Sequence, residues 1–160
     1  MQSKKRNKAI KPATEAERVI RELGGESGLV NLSADAFRLM KSPVQKIVLD
    51  RYWSWLVKFR AGFVCEISGK TERLNAHHLV NKHYGQKLRW HLKNAICITW
   101  YQHNYRAHSD DYDTATAFRE DVKRLRGETI YDELELLKRG TVTDRIGLLL
   151  HFQDEHRRVK

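Results

Sequence analysis

The sequence predicts an α+β protein, a mostly helical single domain built around a central unit of two strands and one helix. Its 160 residues are the usual length of one compact domain. Apolar residues recur at helical spacing in the first and last thirds, whereas the middle alternates short apolar runs with a long polar segment. We therefore expect a flexible basic arm over residues 1–13, N-terminal helices over 14–62, the strand-containing core over 63–110 and C-terminal helices over 111–160.

The N-terminal section predicts two short helices and one long helix. A helix over 14–23 has threonine at its N-cap position, and Ser33 starts a second short helix. Ser42-Pro43 combines an N-cap residue with proline at the first helical position. Between Val44 and Phe59 the apolar residues then follow the spacing of a helix with one buried face. Trp53 lies off that face, where we expect it to cover a neighbouring element.

The central section changes character. The runs Phe63–Cys65 and Leu74–Val80 are short and strand-like. The segment Asn81–Lys93 has no apolar period, so it predicts a long loop, and Ala95–Thr99 is a second apolar strand. A helix is expected over Trp100–His108. Strand, loop, strand and helix in this order form a ββα unit.

The C-terminal section predicts three further helices. Gly127 ends the first of them and Gly140 ends the second, while Thr143 caps the last.

The excess positive charge lies in two places. The chain carries a formal net charge of +10, of which the arm contributes half and residues 65–108 the other half. That central block also holds six of the eight histidines. A basic, histidine-rich block indicates a polyanionic partner, most simply DNA, and the arm residues Lys4, Lys5 and Arg6 are expected to contact its phosphates.

Composition also excludes several classes of protein. No apolar run approaches the roughly 18–20 residues that span a membrane, and no apolar stretch follows the basic N-terminus as a signal peptide requires. Two cysteines cannot form a disulfide framework. We therefore expect a cytoplasmic protein with no membrane partner and with reduced, buried thiols.

Four residues of the central unit carry the chemistry. Adjacent strand residues point to opposite faces, so the doublet His77-His78 allows one ring to bind a metal while the other activates water. Asn94 precedes the second strand, and His103 lies early in the following helix. A helix packed across the hairpin can bring His103 back to His77.

These residues resemble a known motif. Ala76-His77-His78-Leu79, Asn94–Ile98 and His103, in that order and spacing, resemble the HNH motif of the ββα-metal endonucleases. More narrowly, the chain is similar over about residues 63–135 to the phage NinG (Rap) recombination nucleases. The matching positions are Cys65-x-x-Ser68-Gly69, Ala76-x-His78, Leu88-Arg89-Trp90, Asn94 and His103. His77 and His103 follow the general HNH pattern where NinG sequences tend to have Gly and Asn.

The resemblance implies a role for each residue. His78 is the general base, His77 and His103 hold one divalent metal ion, and Asn94 fixes the loop that aims His78. Some relatives take a third ligand from the position of Ala107, and His108 is one residue late for it.

Four basic residues of the central loop are assigned to DNA. Arg89 grips a phosphate beside the catalytic group, with a structural ion pair as the alternative. Lys82, Lys87 and Lys93 supply steering charge.

The metal content follows from the same resemblance. We expect Mg²⁺ or Mn²⁺ at the histidines, with Zn²⁺ or Ni²⁺ as alternatives. Relatives often carry two cysteine pairs for a structural zinc, but the corresponding positions here are Cys65, Ser68, Thr99 and Gln102. Because one cysteine of four remains, no structural zinc is expected.

The expected function is metal-dependent hydrolysis of double-stranded or branched DNA, in phage or prophage recombination or DNA processing, hence in the host cytoplasm. A catalytically inactive HNH-fold protein that binds DNA is the alternative. A basic RNA-binding or assembly protein is a third class, which only the charge supports.

Overall fold

The structure is a computed structural model, which describes residues 11–138, 142 and 144–159. In chain order its elements are α1 (Pro12–Glu22), α2 (Ala34–Leu39), α3 (Ser42–Arg60), β1 (Leu74–His78), α4 (Gln86–Arg89), β2 (Ala95–Thr99), α5 (Trp100–Gln102), α6 (Tyr112–Arg126), α7 (Ile130–Leu137) and α8 (Arg145–Arg158). The chain is mostly helical with one small antiparallel sheet, which is the α+β architecture that the sequence predicts. The expected DNA contacts Lys4, Lys5 and Arg6 and the expected helix signals Gly140 and Thr143 lie outside the described residues.

The N-terminal helices begin slightly differently from the prediction. Helix α1 starts at Pro12, two residues before Thr14, because proline already has the backbone angle that a first helical turn needs. Ser33 caps α2 as expected. In α3, Ser42 is itself the first helical residue, and its hydroxyl accepts a hydrogen bond from Arg145 of α8 instead of capping the helix.

The segment Phe63–Cys65 is a turn, so the prediction of a strand there is wrong. Gly62 and Phe63 both have left-handed backbone angles, with φ of 63° and 55°, which reverse the chain at the end of α3. The Cys65 amide then donates to the Lys70 carbonyl at 2.7 Å and closes a tight loop. A reversal of this kind is incompatible with extended pairing.

Strands β1 and β2 form a two-stranded antiparallel hairpin between two hydrophobic clusters. Every residue of β2 is buried, and alternate residues face opposite sides of the sheet. Ala95 and Cys97 pack with α1, α3 and α8, whereas Ile96 and Ile98 pack with α6 and α7. The hairpin is therefore covered on both faces, and its histidine-bearing end lies between two independent helical layers.

Among the described helices, none combines the length and apolar character needed to cross a lipid bilayer.

Candidate metal centre

The hairpin directs its two adjacent histidines to opposite faces. His77 pairs with Ile96 and His78 with Ala95 in the antiparallel register. The His77 ring meets the edge of Phe118 of α6 at a centroid distance of 5.6 Å. The His78 ring stacks on Trp53 of α3 at 4.0 Å, with 11° between the ring planes. Both rings nevertheless reach the same cavity at the end of the strands.

Three histidines form a cluster that could hold a metal ion. His77, His103 and His108 each offer one ring nitrogen, and these nitrogens lie within 4.8 Å of one another. His77 is buried, with 6% of its surface exposed, while His103 is half-buried and His108 is exposed. These three residues are the ones that would hold a metal ion at this end of the hairpin.

A π-helical turn brings His108 into this cluster. In an α-helix a residue five positions on is rotated by about 140° from the first, which would carry residue 108 away from His103. Helix α5 instead continues as a π-helical turn over His103–Ala107. The wider turn joins residues i and i+5, so His108 returns to the face of His103, with ring centroids 4.7 Å apart. The resemblance placed the third ligand at the position of Ala107, for which His108 is one residue late, and the π-helical turn brings His108 into the cluster instead.

The electrostatics favour neutral imidazoles at His77 and His103. Burial, reinforced by the neighbouring His103 and His108 rings, lowers the pKa of His77 to about 3. Burial and the proximity of His108 also lower the pKa of His103. Rings that stay unprotonated at neutral pH offer the lone pairs that a metal requires.

His78 is held on both its face and its edge. Trp53 covers one face of the ring, and the Arg89 carbonyl oxygen lies 2.8 Å from His78 Nε2. A carbonyl only accepts hydrogen bonds, so Nε2 carries the proton and Nδ1 retains a lone pair. Burial lowers the pKa of His78, against the opposing effect of the Arg89 carbonyl. The ring is therefore neutral, oriented and able to accept a proton through Nδ1.

Asn94 ties together both ends of the loop between the strands. Its side chain is fully buried, and its Oδ1 accepts a hydrogen bond from the Val80 amide at 2.7 Å. Its Nδ2 donates to the carbonyl oxygens of Val80, at 2.8 Å, and Leu88, at 3.1 Å. These bonds take the place of strand pairing beyond His78. They also hold Leu88 in place, and with it the following residue Arg89, whose carbonyl contacts the His78 ring.

The Arg89 side chain is engaged by Asp50, so its expected grip on a phosphate requires correction. Its Nε and Nη2 atoms donate to the two Asp50 carboxylate oxygens at 2.8 Å and 2.5 Å. The indole nitrogen of Trp90 donates to the same carboxylate at 2.9 Å. The structural ion pair, which was the alternative for Arg89, is the arrangement present. The sequence did not indicate the role of Asp50, because an acidic residue in an amphipathic helix usually belongs to the solvent-exposed face.

Only one of the three expected DNA-contacting lysines of the described loop lies at the cavity. Lys82 lines the cavity beside the histidines. Lys87 is exposed elsewhere on the loop, and Lys93 forms an ion pair with Glu133 of α7. The expected role of Lys93 as free steering charge is therefore weakened by its partner, whereas Lys82 is placed where a phosphate would approach.

The cavity itself encloses about 550 Å³ between the two helical layers. It is lined by five histidines, at positions 77, 78, 83, 103 and 108, and, among others, by Asp50, Trp53 and Lys82. Comparison of the chain with protein-family models, with curated proteins and with solved structures found no match. The chemical interpretation therefore depends on the geometry of these side chains.

Proposed function

We propose that the chain is a metal-dependent endonuclease of the HNH type, which hydrolyses DNA phosphodiester bonds. One observation carries the proposal: a three-histidine cluster suited to a metal and a separate, oriented histidine base share one open cavity. A protein that only bound DNA would need neither the three-histidine cluster nor the free Nδ1 lone pair of His78.

The reaction follows from the placement of His78. Its Nδ1 accepts a proton from a water molecule, and the resulting hydroxide attacks the phosphorus in line with the leaving 3′ oxygen. The P–O3′ bond breaks, the 5′ phosphate takes up the hydroxyl oxygen, and the 3′ oxygen is protonated from solvent. A divalent ion held by His77, His103 and His108 would supply the positive charge that stabilises the phosphate and the leaving oxygen.

The donor set changes the expected order of metals. Imidazole nitrogen suits Zn²⁺ and Ni²⁺, whereas Mg²⁺ prefers oxygen ligands. All three ligands of the cluster are imidazoles. We therefore place Zn²⁺ and Ni²⁺ before Mn²⁺, and Mg²⁺ last. The absence of a structural zinc at Cys65 stays a prediction, which metal analysis of a protein with the histidine cluster mutated would test.

Several side chains, from inside and outside the motif, support the base. Trp53 covers the His78 ring, and Asp50 holds Arg89, whose carbonyl fixes Nε2. Asn94 fixes the loop from inside. We propose that these are positioning residues, and that Lys82 attracts the phosphate. Double-stranded or branched DNA is the proposed substrate because the net charge is +10 and the motif resembles that of phage recombination nucleases.

Nicking of supercoiled plasmid tests the proposal directly. We expect nicked circles with Zn²⁺, Ni²⁺ or Mn²⁺ and none with EDTA. The double variant His77→Ala/His103→Ala, purified identically, controls for contaminating nucleases and should match the buffer blank.

Two results would contradict the proposal in different ways. If the protein binds plasmid but does not nick it with Zn²⁺, Ni²⁺, Mn²⁺ or Mg²⁺, the alternative function, an inactive DNA-binding protein, would be supported. Failure to bind plasmid at all would exclude both the nuclease and the inactive DNA-binding protein.

A further inference from the structure

A second cavity, which we call the aromatic pocket, lies at the opposite end of the hairpin. It encloses about 470 Å³ where β1 begins and β2 ends. The aromatic residues Trp100 and Tyr101 line it together with the cationic residues Lys70 and Arg73. Ser68 and Gln102 add hydrogen-bonding groups to the lining. The histidine centre uses none of these residues.

The two aromatic rings are exposed although they belong to an ordered helix. Trp100 is 44% exposed and Tyr101 is 61% exposed. Tyr105 packs edge-on against Trp100, with ring centroids 5.6 Å apart, and at a tilt against Tyr101, with centroids 5.2 Å apart. Clusters of large aromatic side chains left in contact with water are typical of binding sites, since their burial would otherwise stabilise the fold.

The neighbouring cations have no acidic partner. Lys70 and Arg73 are exposed, and within the described part of the chain neither forms an ion pair. Glu72 is the one acidic residue in the pocket lining, which leaves a positive balance.

The backbone at Arg73 ties the cations to the aromatic rings. Its φ is 46°, a left-handed angle that costs free energy for a residue with a side chain. Its carbonyl accepts the Trp100 amide at 2.7 Å, which fixes the cationic turn against the start of α5. The strained turn therefore holds Lys70 and Arg73 beside the rings.

We propose that the aromatic pocket binds an unpaired nucleotide of the substrate. The base stacks on Trp100 and Tyr101, and Lys70 and Arg73 contact its phosphates. Aromatic faces beside unpaired cations are the combination by which proteins hold single-stranded nucleic acid, because every base has a face that can stack. The proposal deepens the proposed function, and it rests on that function for the identity of the bound strand as DNA.

The distance between the two sites indicates a class of substrate. From Leu74 at the pocket end, β1 runs three residues to His77, which is about 10 Å. This length corresponds to about three nucleotide steps along a strand. A DNA with an unpaired nucleotide a few positions from the scissile phosphate would suit both sites, because an unpaired base exposes the face that stacks on aromatic rings. The proposed substrate is therefore branched, gapped or flapped DNA.

Binding of a short oligonucleotide in EDTA tests the pocket without any cleavage. Fluorescence anisotropy of fluorescein-labelled dT₁₀ should show about 5- to 150-fold weaker binding for Tyr101→Ala, with a comparable loss for Trp100→Ala. Tyr101→Phe should keep most of the affinity, because the ring face remains. The matched control is Tyr112→Ala, since Tyr112 is 80% exposed but lies outside the pocket lining.

Two charge variants give effects of opposite sign and do not depend on the aromatic residues. Arg73→Gln should weaken binding and Glu72→Gln should strengthen it, each by a few fold at low salt. Labelled rU₁₀ measured in parallel shows whether the pocket prefers DNA or accepts any single strand. A preference for rU₁₀ of tenfold or more would overturn the assignment to a DNA substrate.

The outcomes separate this inference from the proposed function. If all pocket variants bind dT₁₀ like Tyr112→Ala while the wild type nicks plasmid, the pocket assignment is wrong and the nuclease stands. If the pocket variants lose dT₁₀ but no metal supports nicking, the pocket stands and the nuclease fails. If sedimentation shows a wild-type dimer that Tyr101→Ala abolishes, with no change in dT₁₀ affinity, the pocket is a self-association surface and the inference is overturned.

Discussion

The two faces of the β-hairpin build the two halves of the candidate site in different ways. On the α6 face, the three-histidine cluster is assembled from His77, His103 and His108, all within the segment 77–108. On the α3 face, His78 depends on Trp53 and Asp50, which come from a helix completed before the hairpin begins. One half is a local motif, whereas the other exists only once the N-terminal helices have packed.

The difference explains how each ring is controlled. Burial is the main cause that lowers the pKa of His77 and keeps its ring neutral, because a charged ring would lose its contact with water. His78 is more accessible, and its orientation comes from a stacked indole and a fixed carbonyl. Mutations on the two faces should therefore separate metal affinity from proton transfer, and the following experiments test that separation.

The largest effect is expected on the α3 face. His78→Ala should reduce plasmid cleavage by about 10²–10⁴-fold, because it removes the proposed general base. Zn²⁺ affinity and plasmid binding should stay near wild type. His151→Ala, on the exposed side of α8, is the control and should cleave normally. Wild-type cleavage by His78→Ala would remove the base assignment.

The next largest effect belongs to the α6 face. His108→Ala should weaken Zn²⁺ or Ni²⁺ binding, measured by calorimetry, by about 10²-fold or more, since loss of a supporting partner alone costs 10- to 100-fold. Cleavage should fall with it. His83→Ala provides a close comparison, because His83 lines the same cavity but is not part of the three-histidine cluster. Equal metal affinity in the two variants would leave His77 and His103 as the only ligands.

The metal-free protein should also lose stability in acid through His77. Its pKa is about 3 when folded and about 6.5 when unfolded, so the unfolded chain binds the proton first as the pH falls. The free energy of unfolding is therefore unaffected by this group above pH 6.5 and decreases as the pH falls from 6.5 towards 3. By pH 5 the loss is about 2 kcal/mol.

Urea denaturation in EDTA at pH 7 and pH 5 measures this effect. His77→Asn should lose less stability between the two pH values than the wild type does, whereas His151→Ala should lose as much as the wild type. The comparison of differences removes the contributions of the other histidines. Identical losses in wild type and His77→Asn would show that burial of this ring does not control its protonation.

The smallest effect is expected for the support of His78. Asp50→Asn replaces a carboxylate that accepts from Arg89 and Trp90 by an amide with one acceptor oxygen. We expect about 10-fold slower cleavage, at the lower end of losses seen for supporting residues, with unchanged metal affinity. Asp50→Glu should recover part of the rate.

A matched ion-pair variant and a tautomer measurement sharpen this test. Asp154→Asn removes an ion pair with Arg158 on the surface of α8 and should not change the rate. Nitrogen chemical shifts of His78 should show a single Nε2–H tautomer in the wild type and a mixture in Asp50→Asn. A slower variant with an unchanged tautomer would mean that Asp50 acts on stability alone.

The α+β class and the hairpin elements were predictable because they depend on local periodicity. The short apolar run from Ala95 to Thr99 and the helical spacing in α3 carry that information without tertiary contacts. The juxtaposition of His77 with His103 was also predictable, since a hairpin followed directly by a helix has few ways to fold. By contrast, the turn at Phe63–Cys65 was misassigned, because its β-favouring side chains conceal a backbone reversal.

By itself, the sequence determined the order of elements, the doubled histidine and the asparagine that closes the loop. Only the tertiary structure decided which other side chains contact these histidines and this asparagine. His108 joins the cluster only because the helix widens into a π turn, which depends on packing against α6. Asp50 forms its ion pair with the Arg89 side chain only because α3 crosses the hairpin at that point. Periodicity describes one element at a time, whereas a hydrogen bond or a shared ligand position depends on how two elements are placed relative to each other.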